Sequence, residues 1–144
     1  MKETVLILDF GSQVTKLIAR RIREQGVFSR IIPYDNFSSE LLSRTNVKGI
    51  IFSGGPKSVK EKNAPKISPN IYKLNIPILG ICYGLQLIAK NFSGDVKPSE
   101  DREYGKRSLT LIKVSPLTQN VYLPNKNYQV WMSHSDKVSK LPKD

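Results

Sequence analysis

The sequence predicts an α/β protein with an open, mostly parallel twisted sheet and helices on both of its faces. Apolar runs alternate with helix-period segments through the first 92 residues, as in folds where strands and helices alternate. Several of these runs are continuously apolar, which is typical of strands buried on both faces. Glycine-bearing turns follow three of them, at Gly11, at Gly54–Gly55 and between Gly80 and Gly84. Ligands of such folds bind at the carboxyl ends of the strands, so we expect the three turns to converge on one crevice.

The first strand is predicted in TVLILDF, residues 4–10, and a helix in SQVTKLIARRIREQG, residues 12–26. Ser12 is the expected N-cap of this helix and Gly26 the expected stop. VFSRIIPY predicts a second strand, SSELLSRT a short helix and VKGIIFSGGP a third strand. NIPILGICYG repeats the order of strand, glycine turn and helix. The apolar stripes of the two longer helices are predicted to comprise Val14, Leu17, Ile18 and Ile22, and Leu85, Leu87, Ile88 and Phe92.

After Gly94 the pattern changes to shorter stretches. SLTLIKV and YQVWMSH predict strands, separated by the turn-rich SPLTQNVYLPNKN. KVSKLPKD is expected to supply neither a closing helix nor a final strand. The sequence therefore predicts one domain over residues 1–144, with a sheet that is incomplete at the carboxyl terminus.

Composition excludes several classes of protein. The chain has 39% hydrophobic and 24% charged residues, and no apolar run approaches the ~20 residues of a membrane span. Cys82 is the one cysteine, so no internal disulfide can form, and a cytoplasmic location is expected. The net charge of +11 comes mostly from lysines dispersed along the chain, which predicts a solvated surface rather than a nucleic-acid partner.

GICYG, residues 80–84, has the form of a nucleophile elbow at a strand-to-helix junction. Glycines permit the sharp turn, and the side chain between them is exposed above the sheet. The helix N-terminus would stabilise a Cys82 thiolate, and the Tyr83 amide would point to a developing oxyanion. A small buried cysteine at the end of a core strand explains the pentapeptide equally well.

SGGPKSV, residues 53–59, offers a second oxyanion donor or an ordinary turn with Pro56 at its corner. It does not fit a P-loop, because Pro56 and not a glycine precedes Lys57 and Ser58, and DFGSQ has too few glycines for a dinucleotide fingerprint. His134 in WMSHSD is the one histidine of the chain. It is either a general base for Cys82 or a loop residue that shapes a binding surface.

Five segments together resemble the glutamine amidotransferase domain of the GMP synthetase family, within the class I, triad-type amidotransferases. They are LILDFGSQVTKLIARRIRE, GIIFSGGPKSV, IPILGICYGLQLIA, REYG and VWMSHSDKVSKLP. DFGSQ and CYGLQ differ from the corresponding loops of the anthranilate and aminodeoxychorismate enzymes. The resemblance covers nearly the whole chain.

The resemblance implies that Cys82 attacks the side-chain amide of L-glutamine, releasing ammonia and leaving a glutamyl thioester that water hydrolyses. The amides of Gly55 and Tyr83 would form the oxyanion hole, with Gly54 beside them. Gln86 would help to hold glutamine. The remaining positions that match the family's site are the loop residues Ser133, His134 and Asp136, which would contact the amino-acid end of glutamine, and Gly11, Ser12 and Gln13, which would lie beside the site.

The resemblance also implies partners outside this chain. The ammonia would pass to an ATP pyrophosphatase domain, in cis or in trans, which uses ATP and Mg²⁺ to aminate XMP to GMP in purine biosynthesis. No cofactor or metal is expected in this chain, and a homodimer would form only through that other domain. No membrane partner is expected.

Two departures from the family pattern bear on activity. Ser135 stands where the family has a glycine, and no histidine–proline–glutamate motif follows SHSDKVSKLP, so His134 matches the loop histidine and not the triad base. We expect negligible glutaminase activity and marginal stability from the 144-residue chain, measured as ammonia release from glutamine. A non-catalytic glutamine-binding remnant and an amidotransferase for another acceptor, such as in anthranilate synthesis, remain alternatives.

Overall fold

The computed structural model describes residues 2–143, except for the side chains of residues 39, 100–103, 134 and 135. The chain divides into two compact units. The first unit comprises Met1–Lys97 with Val138–Asp144, and the second comprises Pro98–Lys137. Each unit is described by itself.

A four-stranded parallel sheet forms the centre of the first unit. Its strands are β1 (Glu3–Asp9), β2 (Phe28–Pro33), β3 (Asn46–Phe52) and β4 (Ile78–Gly80), in the order β2-β1-β3-β4. The register pairs Leu8 with Phe52, and Phe52 with Gly80. The carboxyl ends of β1, β3 and β4 therefore lie side by side, and the turns that follow them leave the same edge of the sheet.

Helices cover both faces of this sheet, as the sequence predicts. The helices are α1 (Thr15–Glu24), α2 (Ser39–Ser43) and α3 (Tyr83–Asn91), with two short 3₁₀ segments at Tyr34–Asn36 and Pro69–Lys73. Ile7 and Ile51 pack with Ala19 of α1 on one face. Leu8 and Phe52 pack with Leu87 of α3 on the other. Alternate residues of a strand point to opposite faces, which is why these strands are apolar at consecutive positions.

The start of α1 and the apolar stripes differ from the sequence prediction. Val14, not Ser12, occupies the N-cap, and the Ser12 hydroxyl accepts a hydrogen bond from the Val14 amide at 3.2 Å. Gly26 ends the helical segment with φ +77°, as expected. The buried positions of α1 are Thr15 and Ala19, and Ile18 is half-buried. Four residues assigned to the two stripes are exposed in the structure: Val14, Leu17, Leu85 and Phe92.

Two long strands, β5 (Asp95–Thr110) and β6 (Asn127–Lys140), pair in a separate two-stranded sheet. The predicted strand YQVWMSH lies wholly within β6, whereas only residues 108–110 of SLTLIKV belong to β5. The expectation that KVSKLPKD adds no strand is wrong, because Lys137–Lys140 continue β6. The side chain of Ser139 contacts Asp95 at 3.2 Å, which places the end of β6 beside the start of β5 in the first unit.

No helix among residues 2–143 has both the length and the apolar character that a membrane span requires.

Candidate active site

Cys82 lies in the tight connection between β4 and α3, at the N-cap of that helix. Its backbone has φ +49° and ψ −111°, a conformation that L-residues rarely adopt and that persists only where the surroundings hold it. The cysteine is exposed, which excludes the alternative of a cysteine buried in the core. We call residues 80–84 the elbow.

Close packing against strand β3 makes a glycine necessary at position 84, the last residue of the elbow. A Cβ on Gly84 would lie 2.4 Å from the Phe52 carbonyl oxygen and 2.5 Å from the Phe52 Cβ. The Gly84 amide also donates to the Ser53 carbonyl at 3.1 Å. The elbow is thus held by backbone atoms of the neighbouring strand end, so its position depends on the sheet register.

The surroundings of Cys82 disfavour its thiolate form. Partial burial raises the pKa of the Cys82 thiol above its ordinary value, because neighbouring atoms withdraw water from the charged form. This desolvation opposes the stabilisation of the thiolate by the N-terminus of α3 that the sequence suggests. A general base near Cys82 would therefore favour nucleophilic chemistry there.

The turns after β1 and β3 meet the elbow. A Cβ on Gly54 would lie 3.5 Å from the Cys82 Cβ and 3.5 Å from the Ser12 Oγ. Gly11, at φ +97°, packs against Pro56, whose Cδ lies 3.3 Å from the position of an added Cβ. The expected convergence of the three glycine-bearing turns is confirmed by these contacts.

The backbone amides of Gly55 and Tyr83 are the two oxyanion donors that the resemblance implies. Among the hydrogen bonds of the described residues, none uses the amide of Gly55 or of Tyr83 as donor. A Cβ on Gly55 would lie 2.6 Å from the Phe10 carbonyl oxygen, so the chain comes close to the first turn here. The assignment of these two amides to an oxyanion hole stays a prediction.

The Tyr83 side chain anchors the elbow in the core. The side chain is 2% exposed, and its ring centroid lies 5.4 Å from that of Phe10. The hydroxyl donates to the Pro65 carbonyl. Burial, with smaller contributions from Tyr34 and Glu61, raises the pKa of Tyr83 to about 12, so the phenol is neutral at physiological pH. The ring and the hydroxyl thus hold Tyr83, which directly follows Cys82 in the elbow.

The other predicted site residues divide between the two units. Gln86 is buried in α3, one turn after Cys82, and its backbone amide donates to the Cys82 carbonyl at 3.1 Å. Gln13 is exposed after β1. Ser133 is exposed and Asp136 half-buried in the second unit, where they belong to strand β6 rather than to the loop that the resemblance implies. The side chains of His134 and Ser135 lie outside the described residues.

Asp9 and Ser53 organise the first two turns, and the sequence reasoning did not assign them roles. The Asp9 carboxylate accepts from the amides of Gly11 at 2.9 Å and Ser12 at 3.2 Å and from the Thr15 hydroxyl at 2.8 Å. The fully buried Ser53 hydroxyl accepts from the Phe10 amide at 2.9 Å. Asp9 ends a buried strand and is followed by Phe10-Gly11-Ser12, and aspartates at such positions often accept hydrogen bonds from backbone amides two or three residues later, so Asp9 could have been found from sequence.

A cavity of about 660 Å³ lies away from the elbow, at the opposite ends of the strands, where its lining includes Lys2, Arg23, Phe28 and Arg30. In the described part of the chain, no group of three or more His, Cys, Asp or Glu side chains could hold a metal ion. Neither feature adds to the chemistry at Cys82.

A comparison of the sequence with models of protein families agrees with the cysteine elbow seen in the structure. Residues 6–144 match the family model of the class I glutamine amidotransferases. This chain belongs to that family.

Its similarity to individual amidotransferases extends over the whole chain. It is 48% identical over 143 residues to the GMP synthase [glutamine-hydrolyzing] of Caldanaerobacter subterraneus, and 50% identical over 141 residues to that of Campylobacter lari. These alignments include 99% and 98% of this chain and 27% of each relative, so the chain spans about a quarter of the length of these relatives.

Solved structures share the fold of this chain. A Thermoplasma acidophilum protein described as a GMP synthase subunit is 29% identical to this amidotransferase chain, and the two superpose with a TM-score of 0.78. The superposition covers all of this chain and 70% of the Thermoplasma chain. A glutamine amidotransferase from Thermotoga maritima shares the fold at 21% identity, with a TM-score of 0.61, over 94% of this chain and 61% of its own.

Proposed function

We propose that this amidotransferase chain carries the glutamine-hydrolysing site of a GMP synthase, with Cys82 as the nucleophile. The observation that carries the proposal is the placement of Cys82. It is exposed at φ +49° on the elbow, beside Gly54 and Ser12. The names of the relatives that match nearly the whole chain support the choice of GMP synthesis.

The proposed chemistry proceeds in two steps. A general base takes the proton of the Cys82 thiol, and the sulfur adds to the side-chain carbonyl carbon of L-glutamine. The carbon–nitrogen bond then breaks, and the protonated base returns this proton to the leaving nitrogen, which departs as ammonia. Water then attacks the resulting thioester, which gives glutamate and regenerates the thiol. Both steps place negative charge on the former carbonyl oxygen, and the amides of Gly55 and Tyr83 are the donors that would stabilise it.

The general base is not assigned to any described residue. The raised pKa of the Cys82 thiol means that such a base contributes strongly to the rate. His134, Ser133 and Asp136 are retained as the proposed contacts of the amino-acid end of glutamine, and Gln86 as a proposed support of the pocket.

The amination itself is proposed for the remainder of a longer protein or for a partner chain. The resemblance assigns the use of ATP and Mg²⁺ to an ATP pyrophosphatase domain, so no step that uses ATP is proposed for this chain. Ammonia would pass from Cys82 to that ATP pyrophosphatase domain, which would convert XMP to GMP.

Covalent labelling tests the nucleophile. A glutamine-derived chloroketone should alkylate Cys82 at least 10-fold faster than iodoacetamide does, after each rate is divided by that reagent's rate with a small free thiol. Peptide mass analysis should place the adduct on Cys82, and excess glutamine should slow the labelling. The Cys82→Ser variant should take up no label.

Equal normalised rates for the two reagents, unaffected by glutamine, would contradict a glutamine site. Protection by glutamine without ammonia release, in a preparation that includes the pyrophosphatase domain, would instead support a non-catalytic glutamine-binding remnant.

A further inference from the structure

We propose that Ser53 is a positioning residue that aims the Gly55 amide at the oxyanion. This inference rests on the proposed function, because it concerns the orientation of a donor for that reaction. Ser53 is 0% exposed and lies directly after strand β3.

The Ser53 hydroxyl links the turn after β1 to the turn after β3. Its oxygen accepts from the Phe10 amide at 2.9 Å, and its proton is donated to the Gly54 carbonyl at 2.8 Å. The Asp9 carboxylate lies at 3.4 Å from the same oxygen. The shorter distance makes Gly54 the better acceptor for the one hydroxyl proton.

Holding the Gly54 carbonyl also fixes the direction of the Gly55 amide. The two groups belong to one planar trans peptide, in which the C=O and N–H bonds point in opposite directions. A hydrogen bond on the carbonyl side therefore restricts rotation of the amide on the other side. Gly54 and Gly55 have no side chains that could impose this orientation, so the peptide needs an external restraint.

The surroundings make this restraint effective. Gly54 packs closely against Cys82, and Gly55 packs closely against the Phe10 carbonyl. The Ser53 hydroxyl accepts a hydrogen bond from the Phe10 amide, so these hydrogen bonds connect the Gly54–Gly55 peptide to the residue that directly follows β1. An oxyanion donor is effective because it is oriented before the reaction, and a donor that must reorient loses much of that effect.

The test compares two alkylations of Cys82 in the same protein. A glutamine-derived chloroketone presents a carbonyl oxygen to the site. The thiolate displaces chloride from the adjacent carbon, forming a carbon–sulfur bond as the carbon–chlorine bond breaks. Iodoacetamide reacts by the same displacement with iodide as the leaving group, and lacks the glutamine frame that places an oxygen at the two amides. The ratio of the two rates therefore reports how well the site holds the glutamine frame and its carbonyl oxygen, and a change in thiolate fraction cancels from it. A change of this ratio at Ser53 that the control variant lacks is assigned to the donors.

Ser53→Ala should lower this ratio roughly 10- to 100-fold, less than the full loss of an oxyanion donor. Ser53→Thr keeps the hydroxyl and should restore most of the ratio. Ser29→Ala is the matched control, because Ser29 is also 0% exposed and its hydroxyl also makes two hydrogen bonds, with the Ala19 carbonyl and with Arg23. That control should lose similar stability in urea and keep the ratio.

Three outcomes would overturn the inference: an unchanged ratio in folded Ser53→Ala, an equal fall in Ser29→Ala, or a folded Ser53→Thr variant as impaired as the alanine variant. If Ser53→Ala does not fold at 25 °C, the threonine variant decides. A wild-type chain without any preference for the chloroketone would contradict the proposed function itself, which separates that failure from failure of the role of Ser53.

Discussion

Replacing Gly84 by alanine tests whether backbone packing against β3 holds the elbow. The added Cβ would lie 2.4 Å from the Phe52 carbonyl oxygen, and ordinary contacts of this kind begin at about 3.4 Å, so helix and strand must separate by about 1 Å. Phe52 is fully buried in the centre of the core and cannot move aside. Overpacking of this kind costs about 3 kcal/mol at the upper end of its usual range.

Alanine has the higher helix propensity, which offsets up to about 1 kcal/mol of that cost and leaves a net loss of about 2 kcal/mol. Urea unfolding followed by circular dichroism should measure this loss, and the chloroketone preference of Cys82 should fall with it because the elbow moves. Gly49→Ala is the control: Gly49 lies in β3 with no atom nearer than 4.0 Å to an added Cβ, and its stability should stay within about 0.5 kcal/mol of wild type. A Gly84→Ala variant as stable as wild type, with Cys82 equally reactive, would refute the reasoning.

Two further predictions concern the thiol and the tyrosine of the elbow. Because burial raises the pKa of the Cys82 thiol, iodoacetamide alkylation should reach half its maximal rate above the pH of about 8.5 found for a free cysteine; a midpoint at or below that of an unfolded peptide would contradict this. The folded chain then binds this proton more tightly than the unfolded chain, so the contribution of Cys82 to stability is complete below about pH 8.5 and is lost as the pH rises through the folded pKa. Tyr83→Phe removes the hydrogen bond to the Pro65 carbonyl and should lower the free energy of unfolding by about 1–2 kcal/mol in urea, whereas the exposed Tyr104→Phe should change it little; equal effects of the two variants would show that the buried hydroxyl contributes nothing.

The order of strands and helices along the first part of the chain could be predicted because the signals for each element are local. Continuous apolar runs mark strands buried on both faces, and Gly26 marks the end of a helical segment wherever the rest of the chain lies. The exposed faces of the helices were harder to predict. Leu17 and Leu85 are apolar at helical spacing but exposed, because burial depends on which side of each helix the sheet covers. Propensity and spacing carry no information about that choice.

The strand β6 shows the same limit. KVSK has no strong strand pattern, yet Lys137–Lys140 continue β6 and Ser139 contacts Asp95 at the start of β5. Strand pairing supplies hydrogen bonds to the backbone of any sequence, so a partner strand can extend a segment that its own residues do not predict.

The sequence alone determined the family, through the five segments that resemble it, and it located the turn at GICYG between an apolar run and a helical segment. The pentapeptide alone left open whether Cys82 is exposed on that turn or buried in the core. The tertiary structure decided what surrounds the cysteine. Gly54 contacts Cys82 and Ser12, and the Ser53 hydroxyl bonds to Phe10 and Gly54, so residues far apart in the chain meet here. The fold also buries part of Cys82, which raises the pKa of its thiol. These contacts depend on the register of three parallel strands, and only the folded sheet brings their carboxyl ends together.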